Sequence, residues 1–167
     1  MTVDEDLFLE IMSSFPTGVT VVTTMARSGL PKGLTVSAFC PVSLHPPLVL
    51  VCLDNQSSTL AAIKESGWFS VNFLAAGREE LARRFASKSD DKFQGLPWEV
   101  PAPDGGPILT EDSGAYVVCR LQEAIEAGDH WLLLGRVEHG SLREDHLPLL
   151  YGRRTFSTWA IARDASA

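Results

Sequence analysis

Residues 48–59 change character in a single step. Leu48 to Leu53 is an unbroken apolar run of strand length, and it passes straight into Asp54-Asn55-Gln56-Ser57-Ser58-Thr59. Asp54, Asn55, Ser57 and Ser58 are all residues that cap helices well. A strand that opens directly onto a helix start leaves main-chain N–H donors without intrahelical partners, and such donors suit a phosphate. An ordinary cap with no ligand fits the same spacing. The apolar run itself predicts a strand buried on both faces. A second segment, residues 33–39, is apolar with Thr35 and Ser37 set into it. Two positions apart, these hydroxyls share one face of a strand, with Val36 and Ala38 on the other. Taken alone, that segment reads as a solvated strand face.

The remaining elements follow from periodicity and turn chemistry. Leu7, Phe8, Ile11 and Met12, with Phe15 beyond, mark one face of a helix over residues 4–14, which Pro16 stops. The Val- and Thr-rich residues 17–24 predict a strand paired with 33–39 across a turn at Ser28-Gly29. Residues 41–47 read as a loop. Residues 57–66 form a short helix with Leu60 and Ile63 inward and Gly67 at its end. A strand over 68–74 and a helix over 78–85, with Leu81 and Phe85 one turn apart, come next. Residues 86–107 carry Pro97, Pro101, Pro103 and Pro107 and predict a surface loop lying over a ligand. Residues 115–125 and 130–139 form a hairpin around Glu126-Ala127-Gly128-Asp129. Residues 148–151 are short and apolar, and 156–161 close the sheet or pack at an interface. About six strands with few helices and short turns predict a mainly β protein, a barrel with helical insertions, in a single domain spanning 1–167.

Composition excludes several classes. Hydrophobic residues make up 45% and charged residues 21% of the chain, as in ordinary globular proteins. A net charge of −7 argues against nucleic acid or an anionic membrane held through a general basic field. The longest apolar run, 48–53, is far short of the ~20 residues that span a bilayer. The acidic opening residues do not read as a secretory signal, so a cytoplasmic location is expected. Cys40, Cys52 and Cys119 are widely spaced, which favours small buried hydrophobes over zinc or a redox dithiol.

No G-x-G-x-x-G or G-K-[ST] pattern occurs, so neither a Rossmann site nor a P-loop is signalled. His130, in Gly128-Asp129-His130, stands at a turn entering a strand, where an imidazole meets a substrate or where Asp129 simply closes an Asx-turn. The other histidines show no metal-ligand spacing with it. Tyr151-Gly152-Arg153-Arg154 is a basic cluster in an acidic chain, suited to phosphate and ring stacking or to plain surface charge. Lys88 and Lys92 in the long loop carry the same two readings.

Together these pieces resemble the short-chain flavin reductase family, the reductase components of two-component flavin monooxygenases. The resemblance runs from Phe15 to about Tyr151. It rests on Phe15-Pro16-Thr17-Gly18-Val19-Thr20, residues 33–39, Val42-Ser43-Leu44 with 47–53, Phe69-Ser70-Val71-Asn72, Gly128-Asp129-His130 and Pro148-Leu149-Leu150-Tyr151. It implies an FMN-binding split β-barrel, Greek-key-like with a few peripheral helices, and a homodimer. It implies that Thr35, Val36, Ser37 and Ala38 lie along the isoalloxazine ring. Cys52, Leu53, Asp54, Asn55 and Gln56 would run from the ring toward the ribityl phosphate, reached at Ser57, Ser58 and Thr59. Phe85, Ala86 and Ser87, with Lys92 and Phe93, match positions near the flavin. His130 and Tyr151 match positions near the nicotinamide nucleotide, and Arg153 joins that set as a phosphate partner. Ser57-Ser58 replaces a lysine that some members carry, which leaves FAD against FMN open.

The implied reaction is hydride transfer from NADH, or NADPH, to FAD or FMN. No side chain is required as acid or base, and His130 orients the nicotinamide. Reduced flavin then leaves for a separate monooxygenase. Two alternatives stand beside it: a related barrel that holds its flavin tightly for a different substrate, and a non-enzymatic flavin-binding barrel. No metal is implied.

Overall fold

A computed structural model describes residues 3–100 and 104–159. The elements are α1 (Glu5–Ser13), β1 (Thr17–Gly18), β2 (Thr20–Met25), β3 (Pro31–Val36), β4 (Phe39–Leu44), β5 (Pro47–Asp54), α2 (Ser58–Ser66), β6 (Trp68–Leu74), α3 (Glu79–Ala86), β7 (Ser113–Ala127), β8 (His130–Leu142), β9 (Leu149–Gly152) and β10 (Thr155–Thr158). Seven strands form one antiparallel sheet in the order β3-β2-β6-β7-β8-β5-β4, and β1-β9-β10 form a second.

The chain's own connections curl the large sheet. Strands β3 and β4 are its opposite edges, yet β3 ends at Val36 and β4 begins at Phe39. Only Ser37 and Ala38 separate them, so the two edges must come together. Beside this crossing the Cys52 N–H donates to the Ala38 carbonyl at 3.0 Å, which continues the β4–β5 pairing up to the two-residue link. The result is the mainly β barrel that the sequence predicts. Helix α2 plugs it: Leu60 and Ile63 join Val22, Val51, Leu53, Phe69 and Leu133 in one buried cluster. The Ser57 hydroxyl caps α2, and Gly67 ends it in the left-handed region at φ 77°.

A second buried cluster lies outside the barrel, where α3 contributes Leu81, Ala82 and Phe85 to Val19, Val21, Leu109 and Leu149. Strand β2 separates the two, with Val22 facing one cluster and Val21 the other, as a period of two requires. Strand β2 is therefore covered on both faces, and so is β6, where Phe69, Ser70, Val71 and Asn72 are all fully buried. Strand β5, predicted to be so, instead alternates, with Val49, Val51 and Leu53 buried and Leu48, Leu50 and Cys52 partly exposed. Its continuous hydrophobicity exceeds what the single chain covers.

Three other expectations change. Residues 41–47 are not a loop, because Phe39–Leu44 pairs with β5 as an edge strand. Pro41 is tolerated there because the register shifts between Pro41 and Ser43 and an edge needs fewer donors. Ten strands form rather than six, since short β1, β9 and β10 make the extra sheet. Cys119 is buried and Cys52 partly so, but Cys40 is exposed on edge strand β4. Helix α1 forms where it is expected, capped by Asp4 through the Leu7 N–H at 2.8 Å, and none of its side chains is buried. Residues 160–161 of the expected last segment lie outside the described residues, while Thr155–Thr158 pairs with β9.

Candidate functional site

The turn from β5 into α2 uses most of its own donors. The Gln56 N–H donates to the Asp54 carboxylate at 2.7 Å, the Ser57 N–H to the Asp54 carbonyl at 3.0 Å and the Thr59 N–H to the Ser57 hydroxyl at 3.2 Å. The Asn55 N–H donates to the Asp129 carbonyl at 3.0 Å, tying the turn to the β7–β8 hairpin. The Ser58 N–H has no partner among the described residues. The local supply of free donors is thus smaller than the sequence suggests.

Charge arrives from elsewhere. A cavity of about 490 Å³ opens between this turn, strand β3 and the segment after α3. Lys32, Lys88 and Lys92 stand on its wall with Ser57, Ser58, Thr59, Ser87 and Ser89, against the carboxylates of Asp54 and Asp90. Lys92 is a strut: its ammonium donates to the Phe85 carbonyl at 2.9 Å and the Gly33 carbonyl at 3.2 Å. Burial, and then the charge of Lys32, hold its pKa below the usual lysine value. The floor is close-packed. A Cβ on Gly33 would come within 3.0 Å of Phe85 and 3.1 Å of Phe93, whose rings meet edge to face with centroids 5.0 Å apart.

The proline-rich loop is fixed at both ends. Near its start, Lys92 and the Phe93 ring dock on β3 and α3, and the Arg84 guanidinium donates to the carbonyls of Asp91 and Gln94. Near its end, the buried Asn72 side chain donates to the Pro107 carbonyl at 3.2 Å and accepts from the Leu109 N–H at 2.8 Å. Thr23 donates to Pro107 at 2.7 Å, and the Ser70 hydroxyl exchanges hydrogen bonds with both main-chain groups of Gly106. A Cβ on Gly106 would lie 2.2 Å from the Thr23 carbonyl, so only glycine allows this approach.

A second cavity, about 650 Å³, adjoins the first. Val19, Ala82, Tyr151 and Phe156 give it an apolar and aromatic wall, with Arg83, Arg154 and Glu79 as its charged groups. The Tyr151 and Phe156 rings lie 4.9 Å apart. Thr35 and Ala86 line both cavities and form the ridge between them. The Thr35 hydroxyl is committed to the Ala82 carbonyl at 2.6 Å, which locks β3 to α3 along that ridge.

Of the residues named from sequence, Thr35, Asp54, Gln56, Ser57, Ser58, Thr59, Phe85, Ala86, Ser87, Lys92 and Phe93 stand together on the first cavity, and Ser37 and Tyr151 on the second. Val36 and Leu53 point into the barrel core and line neither cavity. Ala38 and Cys52 line neither cavity; their main-chain hydrogen bond continues the β4–β5 ladder one step beyond the Phe39–Val51 pair. Arg153 is not on either wall; its neighbour Arg154 is. His130 lines neither cavity. It pairs with Asp54 across β5 and β8, half-exposed, with Nδ1 2.7 Å from the Asp129 carboxylate. That hydrogen bond holds the Asp129 carboxyl below the usual range. The single chain therefore does not bring His130 and Tyr151 onto one wall. Lys32 and Arg83 were not singled out from sequence. Lys32 sits one residue before the segment that was, and Arg83 shows no local signal, because its relevance depends on α3 packing beside β10.

Comparison with known proteins agrees with this architecture. The family model described as "Flavin reductase like domain" matches residues 12–160. A flavin reductase (NADH) of Kitasatospora aureofaciens is 45% identical over 163 residues, covering 97% of this chain and 85% of that one. The reductase subunit of a flavin-dependent monooxygenase of Rhodococcus jostii is 40% identical over 155 residues, 93% of this chain and 78% of that one. Among solved structures, an NADH:FAD oxidoreductase of Streptomyces globisporus, in complex with NAD and FAD fragments, superposes with a TM-score of 0.89 at 32% identity, covering 98% of this chain and 99% of that one.

Proposed function

The chain belongs to the flavin reductase-like family, and from that membership we propose an assignment of its two cavities: the lysine-lined one receives the phosphate end of a flavin and the aromatic one the nicotinamide nucleotide. The protein is an NAD(P)H-dependent flavin reductase, the reductase half of a two-component system that supplies reduced flavin to a separate monooxygenase. The observation that carries the assignment is the shared ridge: one cavity has a cationic, hydroxyl-rich wall, the other an aromatic wall, and Thr35 and Ala86 border both.

The donor set fits a flavin phosphate. Lys32 and Lys88 supply charge, and Ser57, Ser58 and Ser89 supply hydroxyls around it. Thr35 to Ala38, at the crossing from β3 to β4, present main chain to the flavin ring. Cys52 to Gln56, with Thr59, line the path toward the phosphate. Phe85, Ala86, Ser87, Lys92 and Phe93 hold the opposite side. When both are bound, the cofactors supply one chemistry, hydride transfer from nicotinamide C4 to flavin N5. The chain's contribution is placement. The Thr35–Ala82 bond fixes the ridge and Tyr151 offers a ring to stack on, while His130, outside both cavities, is given no part in either wall of this chain. No side chain is assigned an obligatory proton transfer.

The match over residues 12–160 supports a single domain over 1–167. A homodimer is supported by α1, where Leu7, Phe8, Leu9, Ile11 and Met12 all lie exposed, and by the outward Val42 and Leu44 of edge strand β4. A cytoplasmic location accords with the absence, among the described residues, of any helix long and apolar enough to cross a membrane.

The test mixes the protein with FMN or FAD under nitrogen and then adds NADH or NADPH. Bleaching of the flavin's visible band that requires the protein is expected. No bleaching with any of the four pairings overturns the reductase assignment. Gel filtration of the flavin-loaded protein distinguishes an exchanged flavin from a tightly held one.

A further inference from the structure

Two neighbouring residues hold a backbone conformation that their side chains disfavour. Arg153 and Arg154 have φ of 48° and 61°, and they are the only non-glycine residues with positive φ among the described residues. They form the two-residue connection between β9 and β10, closed by the Gly152–Thr155 pair. A hairpin loop with both central residues left-handed is the turn that selects Asn-Gly, because a Cβ is strained there. Strain of this kind persists where surrounding structure holds it, often at functional sites.

The second arginine of the turn explains what the strain achieves. Arg154 is on the wall of the 650 Å³ cavity, as is Arg83 of α3. Arg83 lies with its guanidinium 5.0 Å from the Phe156 ring of β10. Arg78 pairs with Asp112, Arg84 donates to two carbonyls and Arg143 to the Thr110 carbonyl, while Arg153 has no side-chain partner among the described residues but stands on neither wall. Among the described residues, neither Arg83 nor Arg154 has an ion pair or a side-chain hydrogen bond. Glu79 is the one carboxylate on that wall, leaving it a net positive charge. A guanidinium fork matches the oxygens of a phosphoryl group bidentately.

Resting on the assignment of this cavity to the nicotinamide nucleotide, we propose that Arg83 and Arg154 form a phosphoryl clamp for it. The phosphoryl group is the diphosphate common to NADH and NADPH, or the 2′-phosphate that only NADPH carries. The strained turn is kept because it brings Arg154 onto the wall of the cavity that Arg83 lines from α3.

The test compares Arg154→Gly, Arg83→Ala and Arg83→Lys with the unaltered protein. Two readouts are used: the thermal midpoint without ligand, and calorimetric dissociation constants for NAD⁺ and NADP⁺. Arg154→Gly relieves the left-handed strain and is expected to raise the midpoint by about 2 °C while weakening nucleotide binding about tenfold. An arginine with only a structural role would move both readouts the same way. Arg83→Ala is expected to weaken binding about tenfold, with partial recovery in Arg83→Lys, which keeps charge but not the fork. Equal weakening for NAD⁺ and NADP⁺ identifies the diphosphate, and weakening confined to NADP⁺ identifies the 2′-phosphate. If Arg154→Gly and Arg83→Ala bind both nucleotides as the unaltered protein does, the clamp is overturned while the reductase assignment stands. If the unaltered protein binds neither nucleotide, the cavity assignment falls, and the clamp with it.

Discussion

Replacing Asn72 by alanine is expected to release the end of the long loop from the barrel. Asn72 is fully buried in β6. Its amide nitrogen donates to the Val21 and Pro107 carbonyls, both at 3.2 Å, and to the Thr23 hydroxyl at 3.3 Å, while its oxygen accepts from the Leu109 N–H at 2.8 Å. The partners do not lose equally. The Pro107 carbonyl keeps the Thr23 hydroxyl at 2.7 Å. The Leu109 N–H keeps nothing among the described residues, and Leu109 is fully buried. A stranded buried donor costs about 1–3 kcal/mol, and the weakened carbonyl partners add about 1 kcal/mol. The sum, about 2–4 kcal/mol, corresponds to a fall in thermal midpoint of roughly 4–16 °C at about 2–4 °C per kcal/mol. Thr23→Val supplies the comparison. It leaves Leu109 its acceptor and Pro107 its Asn72 donor, so it is expected to cost only about 1 kcal/mol. Urea unfolding of both variants measures the difference. If Asn72→Ala costs no more than Thr23→Val, the Leu109 N–H is not the controlling group and the reasoning fails. Because Lys92 and Phe93 stand on the same loop, flavin affinity, read by fluorescence quenching, is expected to weaken in Asn72→Ala.

Three further outcomes follow from buried groups. Gly135→Ala would place a Cβ 2.3 Å from Cζ of the fully buried Phe69 ring, so urea unfolding is expected to show a loss of about 2–3 kcal/mol. Burial lowers the Lys92 pKa, so the cost of its charge is fully present below the folded-state pKa and is relieved as pH rises toward the unfolded value. The stability of the unaltered protein relative to Lys92→Met is therefore expected to improve through that alkaline window in urea titrations at stepped pH. Burial raises the Asp112 carboxyl above its usual range, and Arg78, 3.0 Å away, partly restrains it. Arg78→Ala is expected to raise it further, as read by carboxyl NMR titration. The stability that a raised carboxyl contributes is present below its unfolded pKa and lost as pH rises through the folded one, so this variant's acid-to-neutral loss should be steeper.

Much of the frame is written locally. Pro16, Gly67 and the Ser57 cap end or start helices where the sequence places them, and the β2–β3 pairing follows from the Val/Thr pattern and the turn at Ser28-Gly29. What failed was whatever depended on distant partners. The 48–53 run looks covered on both sides because hydrophobicity records what a residue tolerates, not what packs on it; β2, with its threonines, and β6, with Ser70 and Asn72, are strands that run between two cores. Thr20, Thr23 and Thr24 are buried there because each hydroxyl reaches a carbonyl: Val36, Pro107 and Trp68 respectively. The edge strand β4 escaped notice because its proline argued against pairing, and only the bulge beside Pro41 reconciles the two.

The site divides along the same line. Residues 54–59 look like a nest of free donors, but Asp54 and Ser57 consume several of them, so the turn is mainly a self-capped corner. The positive charge an anion needs comes instead from Lys32 on β3 and from Lys88 and Lys92 after α3, segments that meet because α3 and Lys92 dock on β3 through the Thr35–Ala82 and Lys92–Gly33 hydrogen bonds. Thr35 shows the same exchange of roles. Its hydroxyl suggests a ligand contact, yet it is bonded to the Ala82 carbonyl of α3. A hydroxyl spent this way contributes through position: it sets the height of the ridge against which both cavities open. Hydride transfer between two flat rings demands fixed separation more than it demands a proton donor. A ridge pinned by a partly buried side-chain hydrogen bond, with cationic and aromatic walls on either side, meets that demand.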